Sequence, residues 1–151
     1  MCVVTGGSRR HGLAATELIR RLFALVPEEH TLLFDTGWKA SSGRFVPDML
    51  VCRVDAPGST FLESGPLLAV EVLSASTRRG DLTRKRELYG AEGVAWYWVV
   101  DPVAPAVLVL ELRDGELIEV QRIGPGETAE TVGPYPVLLL PDELVRRAPP
   151  D

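Results

Sequence analysis

The sequence lacks several features that would assign it to a familiar class of protein. It contains only two cysteines, Cys2 and Cys52, which are too few for a disulfide framework or a zinc knuckle and fit a reducing compartment. No apolar stretch is long enough to span a bilayer. The first residues lack the basic start and the long apolar core of a secretory signal. We therefore expect a cytoplasmic protein.

Positive charge is also scarce. The chain has 16 lysines and arginines against 21 aspartates and glutamates, for a net charge of -5, which argues against a broad basic surface that grips nucleic acid. One local run of cations interrupts this balance, and it is either a solvated loop and helix face or a rim around a phosphate-binding site. Its members are Arg78, Arg79, Arg84, Lys85 and Arg86.

Motifs for nucleophilic catalysis and for nucleotide binding are absent too. Neither Ser74 nor Ser76 lies in a Gly-x-Ser-x-Gly elbow, and the only histidines, His11 and His30, are distant in sequence. No Walker or dinucleotide-binding glycine pattern occurs. The sequence therefore gives no support to a serine hydrolase or to a nucleotide-binding domain.

The apolar pattern that is present predicts an α/β protein formed by one domain, residues 1–151. Helices are predicted over Leu13–Val26 and Asp81–Ala91, a turn over Gly37–Gly43 and a loop over Asp55–Gly65. The order of these elements favours a mixed central β-sheet flanked by helices. Strands are predicted over His30–Phe34, Phe45–Val54, Leu67–Leu73, Trp96–Val100, Ala106–Arg113 and Glu116–Ile123, with a hairpin turn at Asp114-Gly115. Val137–Leu140 is either a last short strand or an apolar anchor.

Glu71 interrupts the apolar run Leu67–Leu73, which is typical of a strand buried on both faces. A carboxylate in such a strand costs several kcal/mol unless another group pairs with it or a metal coordinates it. Strand alternation places Glu71 on the same face as Ala69 and Leu73. Glu71 is therefore either a paired structural charge or a ligand.

Asp48 is a second acid among apolar residues, in the segment Val46–Val51. Taken alone, it could be a turn or bulge residue after Pro47. Two carboxylates from neighbouring apolar strands can also converge on one divalent cation, and Mg²⁺ prefers few carboxylates together with waters and phosphate oxygens. Asp48 and Glu71 are thus a candidate metal-binding pair.

The second predicted helix carries a polar series on one side. Asp81, Lys85 and Tyr89 are spaced i, i+4 and i+8, and Leu82 and Leu88 flank them. The leucines indicate that this side packs on the sheet, although an exposed Asp81–Lys85 ion pair is the ordinary alternative. A lysine facing a carboxylate–metal site would stabilise charge on a phosphorane or position the attacking water.

Three consecutive aromatic residues, Trp96, Tyr97 and Trp98, lie in the next predicted strand. Such side chains could stack on nucleic-acid bases. In an apolar strand they more often belong to the core or to a dimer surface.

Several of these motifs, in this order and spacing, resemble the Uma family of "putative restriction endonucleases" of the PD-(D/E)XK nuclease superfamily. The resemblance extends from about His11 to Leu140. It rests on Arg10-His11-Gly12, Phe45-Val46-Pro47-Asp48, Leu68–Ser74, Ser76-Thr77, Asp81, Lys85, Tyr89, Gly93-Val94 and Tyr97–Pro102.

The resemblance implies a restriction-endonuclease-like core and hydrolysis of DNA with Mg²⁺ or Mn²⁺. It implies that Asp48 and Glu71 bind the metal, with the backbone carbonyl of Val72 as a third ligand. The superfamily's lysine position on the strand is occupied here by Leu73. Lys85 on the following helix is then the substitute catalytic lysine.

The resemblance also implies supporting roles. Tyr89 would orient Lys85, Asp81 would fix the helix or the lysine, and Glu17 would be the acid that helix one supplies in some members. Phosphate contacts fall to Arg78, Arg79 and Arg84, and a homodimer is plausible because cutting both strands needs two sites. The acidic charge and Leu73 leave a second interpretation open, a catalytically inactive nuclease-fold module used in binding or assembly.

Overall fold

The computed structural model describes residues 8–74 and 79–147, without the side chains of residues 79–81. None of the helices in this described part is long and apolar enough to cross a membrane. In chain order the elements are α1 (Arg9–Phe23), β1 (His30–Phe34), β2 (Trp38–Ala40), β3 (Gly43–Phe45), β4 (Met49–Arg53), β5 (Leu68–Val72), α2 (Arg79–Ala91), β6 (Trp96–Asp101), β7 (Ala106–Arg113), β8 (Glu116–Ile123), β9 (Ala129–Glu130), β10 (Leu138–Leu139) and α3 (Pro141–Leu144).

A six-stranded sheet of order β1-β4-β5-β6-β7-β8 forms the centre of the fold. The pair β5–β6 is parallel, whereas the other neighbouring strands are antiparallel. Parallel neighbours need a long crossover connection, and α2 supplies it between β5 and β6. The predicted α/β class, with a mixed central sheet flanked by helices, is confirmed.

Side-chain alternation divides the interior into two apolar clusters, one on each face of the sheet. On the first, called here the α1 face, Leu68, Val70 and Val72 of β5 pack with the buried side chains of α1. On the second, called the α2 face, Ala69 of β5 packs with Tyr97 of β6 and with α2. Every residue of β5 is buried, as its sequence predicted.

Helix α1 begins at Arg9, four residues before the predicted start at Leu13. The earlier start has a local cause, because Ser8 is the N-cap and its Oγ accepts a hydrogen bond from the His11 backbone N–H at 3.1 Å. Ala14, Leu18 and Leu22 are its buried residues. Their spacing places them on one stripe against the sheet.

The prediction of a plain turn over Gly37–Gly43 was wrong, because β2 and β3 form a two-stranded hairpin there. Trp38 is buried and pairs across the hairpin with Phe45. Apart from Trp38, the residues of Gly37–Gly43 are polar or small, so the segment has no apolar alternation that predicts a strand. Instead, Trp38 and Phe45 pack on Tyr89 of α2.

The hairpin of β7 and β8 follows its prediction, with Asp114 and Gly115 at φ values of 50° and 79°. Positive φ at both central residues is the geometry of a type I′ turn, which explains the Asp-Gly pair. Near the C-terminus β10 lies within Val137–Leu140, so this segment includes a short strand, whereas β9 and α3 were not predicted.

Candidate active site at the end of β5

Asp48 and Glu71 lie at the same end of two neighbouring strands because β4 and β5 run antiparallel. Met49, the first residue of β4, pairs with Val70 near the end of β5. Asp48 precedes β4 and therefore lies beside the last residues of β5. Its Oδ2 accepts a hydrogen bond from the Val72 backbone N–H at 2.7 Å, so the side chain takes a place in the hydrogen-bonding ladder that a backbone carbonyl would otherwise fill.

Glu71 is buried on the α2 face, with 7% of its surface exposed. Two groups of α2 contact the same carboxylate oxygen, Oε1. The Tyr89 hydroxyl donates a hydrogen bond to it at 2.9 Å, and the Lys85 Nζ lies 3.2 Å away. Among the described residues, Oε2 has no such contact, so it is the oxygen that remains available to a ligand.

The electrostatics around Glu71 contain opposing effects. Burial raises the pKa of its carboxyl, Lys85 and the Tyr89 hydrogen bond lower it, and the Asp48 carboxylate raises it. Burial and the Glu71 carboxylate also raise the pKa of Tyr89 far above its ordinary value. Tyr89 therefore stays protonated and acts as a hydrogen-bond donor.

An aromatic cluster fixes the position of Tyr89. Its ring lies 5.4 Å from that of Trp38, 5.5 Å from that of Phe45 and 5.2 Å from that of Tyr97, measured between centroids. All three contacts are edge-on, the arrangement that aromatic rings prefer over a face-to-face sandwich. The cluster holds the hydroxyl of Tyr89 toward Glu71, and the β2–β3 hairpin that was not predicted contributes two of its rings.

The backbone carbonyl of Val72 is the predicted third ligand, and its direction follows from the N–H of the same residue. The Val72 N–H points toward Asp48, as the 2.7 Å hydrogen bond requires. In an extended strand the N–H and the C=O of one residue point to the same side, which is how antiparallel pairs exchange two bonds. The Val72 carbonyl therefore faces the Asp48 side of β5.

Sequence reasoning did not assign a role to His11, and the structure places it at this site. Its Nε2 lies 3.4 Å from Asp48 Oδ1, so helix α1 contacts the same carboxylate that Val72 holds at its other oxygen. The only sequence signal for His11 was its position in the motif Arg10-His11-Gly12. Strand and helix periodicity could not reveal a contact between α1 and the residue before β4.

The candidate acid Glu17 contacts arginines rather than Asp48 or Glu71 in the described structure. It forms an ion pair with Arg20 at 2.8 Å and lies 3.9 Å from Arg21. Arg21 continues the contact to Glu143 of α3 at 2.7 Å. The hydrogen bond from Arg20 lowers the pKa of Glu17, and in the described structure its carboxylate serves the α1–α3 surface.

Of the remaining candidates, Arg79, Asp81 and Arg84 belong to α2. Arg84 is exposed, in the helix position next to Lys85. Arg79 and Asp81 belong to the first turn, but their side chains are outside the described part, and so is Arg78 altogether.

Comparison with known proteins identifies the family. The profile of the Uma2 family, described as "Putative restriction endonuclease", matches residues 1–138. The match covers most of the chain, and the chain therefore belongs to this family. No curated protein matches it significantly.

One solved structure supports the fold. The crystal structure of a "putative nuclease belonging to DUF820" from Anabaena variabilis ATCC 29413 is similar at a TM-score of 0.71 and 16% sequence identity, over 96% of this chain and 83% of that chain. A DrdV–DNA complex solved by cryoEM shares 18% identity over 64% of this chain and 8% of that chain, with a TM-score of 0.40. At such identities the first match shows a common fold.

Proposed function

We propose that the protein is a metal-dependent endonuclease that hydrolyses phosphodiester bonds of DNA, with its centre at Asp48, Glu71 and Lys85. The observation that carries the proposal is the contact of Lys85 and Tyr89 with one oxygen of a buried glutamate, beside a second carboxylate. A stabilising ion pair alone does not require a second acid at the same end of the strands. A phosphodiesterase that binds a divalent cation does require a second acid there, because both carboxylates hold the cation.

The residues present fit a hard divalent cation such as Mg²⁺ or Mn²⁺. The pKa of Glu71 is raised by burial and by the Asp48 charge, which is the unfavourable situation that a bound cation relieves. Asp48, Glu71 and the Val72 carbonyl would hold it. The described residues contain no group of three or more His, Cys, Asp or Glu arranged around an ion, so waters and substrate phosphate would complete the shell, as Mg²⁺ prefers.

Bound there, the cation would polarise the phosphate and lower the pKa of a coordinated water. Lys85 supplies the lysine that β5 lacks at Leu73, because its ammonium group reaches Glu71 from α2, the helix packed on the same face of the sheet. Its side chain is 37% exposed, so it can turn from the carboxylate toward substrate. In that position it orients the attacking water or stabilises charge on the phosphate oxygens. Tyr89 keeps the Glu71 carboxylate in place during this change.

The wider setting is part of the same proposal. Arg78, Arg79 and Arg84 would contact the DNA backbone near the start of α2, where the sequence concentrates its cations. The chain would act as one domain in the cytoplasm. A homodimer would bring two such sites to the two strands of a duplex.

The test is cleavage of plasmid DNA by purified protein with Mg²⁺ or Mn²⁺. Glu71→Gln should reduce cleavage to the level of the no-enzyme control while leaving the circular dichroism spectrum unchanged. Glu119→Gln is the matched control, because the exposed side chain of Glu119 forms its ion pair in the described structure with Arg122, on the edge strand β8. Cleavage that persists in Glu71→Gln would refute the assignment of the site.

A second function has one observation in its favour. Lys85 and Tyr89 already partner one oxygen of Glu71 within the chain, as expected of a nuclease fold that has become a binding or assembly module. That alternative predicts no Mn²⁺ binding in calorimetry and no cleavage. A binding isotherm that disappears in Asp48→Asn would exclude it.

A further inference from the structure

The carboxylate of Asp48 is approached at both oxygens, by groups from two different elements. Val72 of β5 donates its backbone N–H to Oδ2 at 2.7 Å. On the other oxygen, Oδ1, the Nε2 of His11 lies 3.4 Å away. An imidazole carrying a proton on Nε2 can donate it to a carboxylate oxygen. The Asp48 carboxylate therefore has one hydrogen bond on Oδ2 and an imidazole nitrogen close to Oδ1.

The contact is partly withdrawn from water. The side chains of His11 and Asp48 are 19% and 28% exposed, so water competes less for this contact than for one between fully exposed side chains. The backbone of His11 is fixed as well, because its N–H donates to the Ser8 cap. Helix α1 is anchored one turn later by Ala14, which is fully buried. His11 thus approaches Asp48 from a fixed backbone.

We propose that His11 is a positioning residue of the metal site and acts through Asp48. This inference rests on the proposed function. Groups that hydrogen-bond to metal-binding carboxylates orient them, and their loss typically costs about 10- to 100-fold in metal affinity or activity. The described residues do not arrange His11 with the two acids around an ion, so its role is assigned to Asp48 rather than to the cation itself.

The first experiment uses the fact that the chain has only two histidines. His30 is a natural reference, because it pairs with Arg53 at the far end of β1 and its Nδ1 lies 2.7 Å from the Tyr135 hydroxyl. Substoichiometric Mn²⁺ added to the wild-type protein should broaden the imidazole proton resonances of His11 strongly and those of His30 much less. Equal broadening of both rings, or none at His11, would overturn the inference.

The second experiment measures Mn²⁺ affinity by calorimetry. His11→Ala should weaken binding by about 10-fold or more, whereas His11→Gln should recover part of the loss because its amide can donate to Oδ1. His30→Ala, the matched control, should leave the affinity unchanged even where it lowers the melting temperature. Wild-type affinity in a folded His11→Ala protein would contradict the proposal, and if that variant does not fold, His11→Gln and the wild-type spectra decide.

Two failures remain distinguishable. If the wild-type protein binds no Mn²⁺, the metal-dependent function fails and the role of His11 fails with it. If the wild-type protein binds Mn²⁺ and Asp48→Asn abolishes binding while His11→Ala does not change it, only the role of His11 is refuted.

Discussion

On the α1 face of β5, Leu68, Val70 and Val72 pack in a cluster of apolar side chains that includes Trp98, and none of the described residues buries a charge in it. On the α2 face of the same strand, Ala69 and Glu71 lie beneath aromatic and polar side chains of α2. The strand is fully buried in both directions. The two faces differ in what the opposing helix offers, since α1 presents a stripe of apolar residues and α2 presents a hydroxyl and an ammonium group.

The difference shows how a buried strand can carry both packing and chemistry. A carboxylate is tolerated in the interior only where donors or cations compensate for its lost hydration. The α2 face provides that compensation at one position, Glu71, close to the last residue of β5. The α1 face has no described equivalent, so it can supply stability but not a charged site.

The largest expected effect comes from placing a charge on the wrong face. Val70→Asp buries a carboxylate beneath α1 with no partner, and it should reduce the free energy of unfolding by about 3–5 kcal/mol. Glu71→Leu is the comparison, because it removes the buried carboxylate and leaves Lys85, which is 37% exposed, able to reach solvent. The Tyr89 hydroxyl then lacks its acceptor, so the loss should be about 1–3 kcal/mol. Urea denaturation at neutral pH measures both. Similar losses in the two variants would show that the faces are not different in this respect.

A smaller effect should separate two tyrosines of the α2 face. Tyr89→Phe removes a hydrogen bond to a buried carboxylate and should cost about 2 kcal/mol. The hydroxyl of Tyr97 is buried, and it has no hydrogen-bond partner among the described residues. Tyr97→Phe should therefore leave stability unchanged or raise it by about 1 kcal/mol.

Urea denaturation of the two phenylalanine variants, side by side, is the measurement. A large loss in Tyr97→Phe would mean that its hydroxyl has a partner, such as a bound water. Equal losses in both variants would remove the distinction between a hydroxyl that serves Glu71 and one that only fills space.

The smallest effect concerns the hairpin that covers the α2 face. Glu92 accepts hydrogen bonds from the backbone N–H groups of Ser41 and Ser42 at 3.1 and 2.8 Å and from the Ser41 hydroxyl at 2.6 Å. The bonds from Ser41 and Ser42 lower the pKa of Glu92 to about 2. Glu92→Gln should cost about 1 kcal/mol at neutral pH and should speed amide exchange at the hairpin tip.

The pH dependence follows from the direction of that shift. A depressed carboxyl pKa contributes stability above the ordinary value of 4.5, and the contribution is lost as the pH falls toward about 2. The difference between wild-type protein and Glu92→Gln should therefore disappear on acidification. Glu87→Gln, on the exposed side of α2, the helix that Glu92 follows, is the control and should show no such trend.

Local signals predicted most of the sheet. The β7–β8 hairpin follows from one Asp-Gly pair between two apolar runs, and β5 follows from an apolar run of strand length. The β2–β3 hairpin could not be predicted in the same way. Its stability depends on Trp38 packing with Tyr89 and on a bridge to Leu62, and neither contact leaves a periodic trace in the segment itself.

The candidate site divides along the same line. Period-two alternation predicts which face Glu71 occupies, and helical spacing predicts that Lys85 and Tyr89 share one side of α2. Contacts between elements distant in sequence are a different matter. The approach of His11 to Asp48 depends on how α1 packs near the start of β4. Glu17 pairs with Arg20 instead, because that arginine lies one turn along the same helix.

The sequence by itself determined the class of fold, the burial of β5 and the conflict created by an acid within it, because periodicity and apolar runs act over a few residues. Tertiary structure alone decided which partners resolve that conflict. Antiparallel pairing brings Asp48 to Val72, and packing of α2 brings Tyr89 and Lys85 to one oxygen of Glu71. Hydrogen bonds and ion pairs depend on distances of a few ångströms in space, which spacing along the chain does not specify.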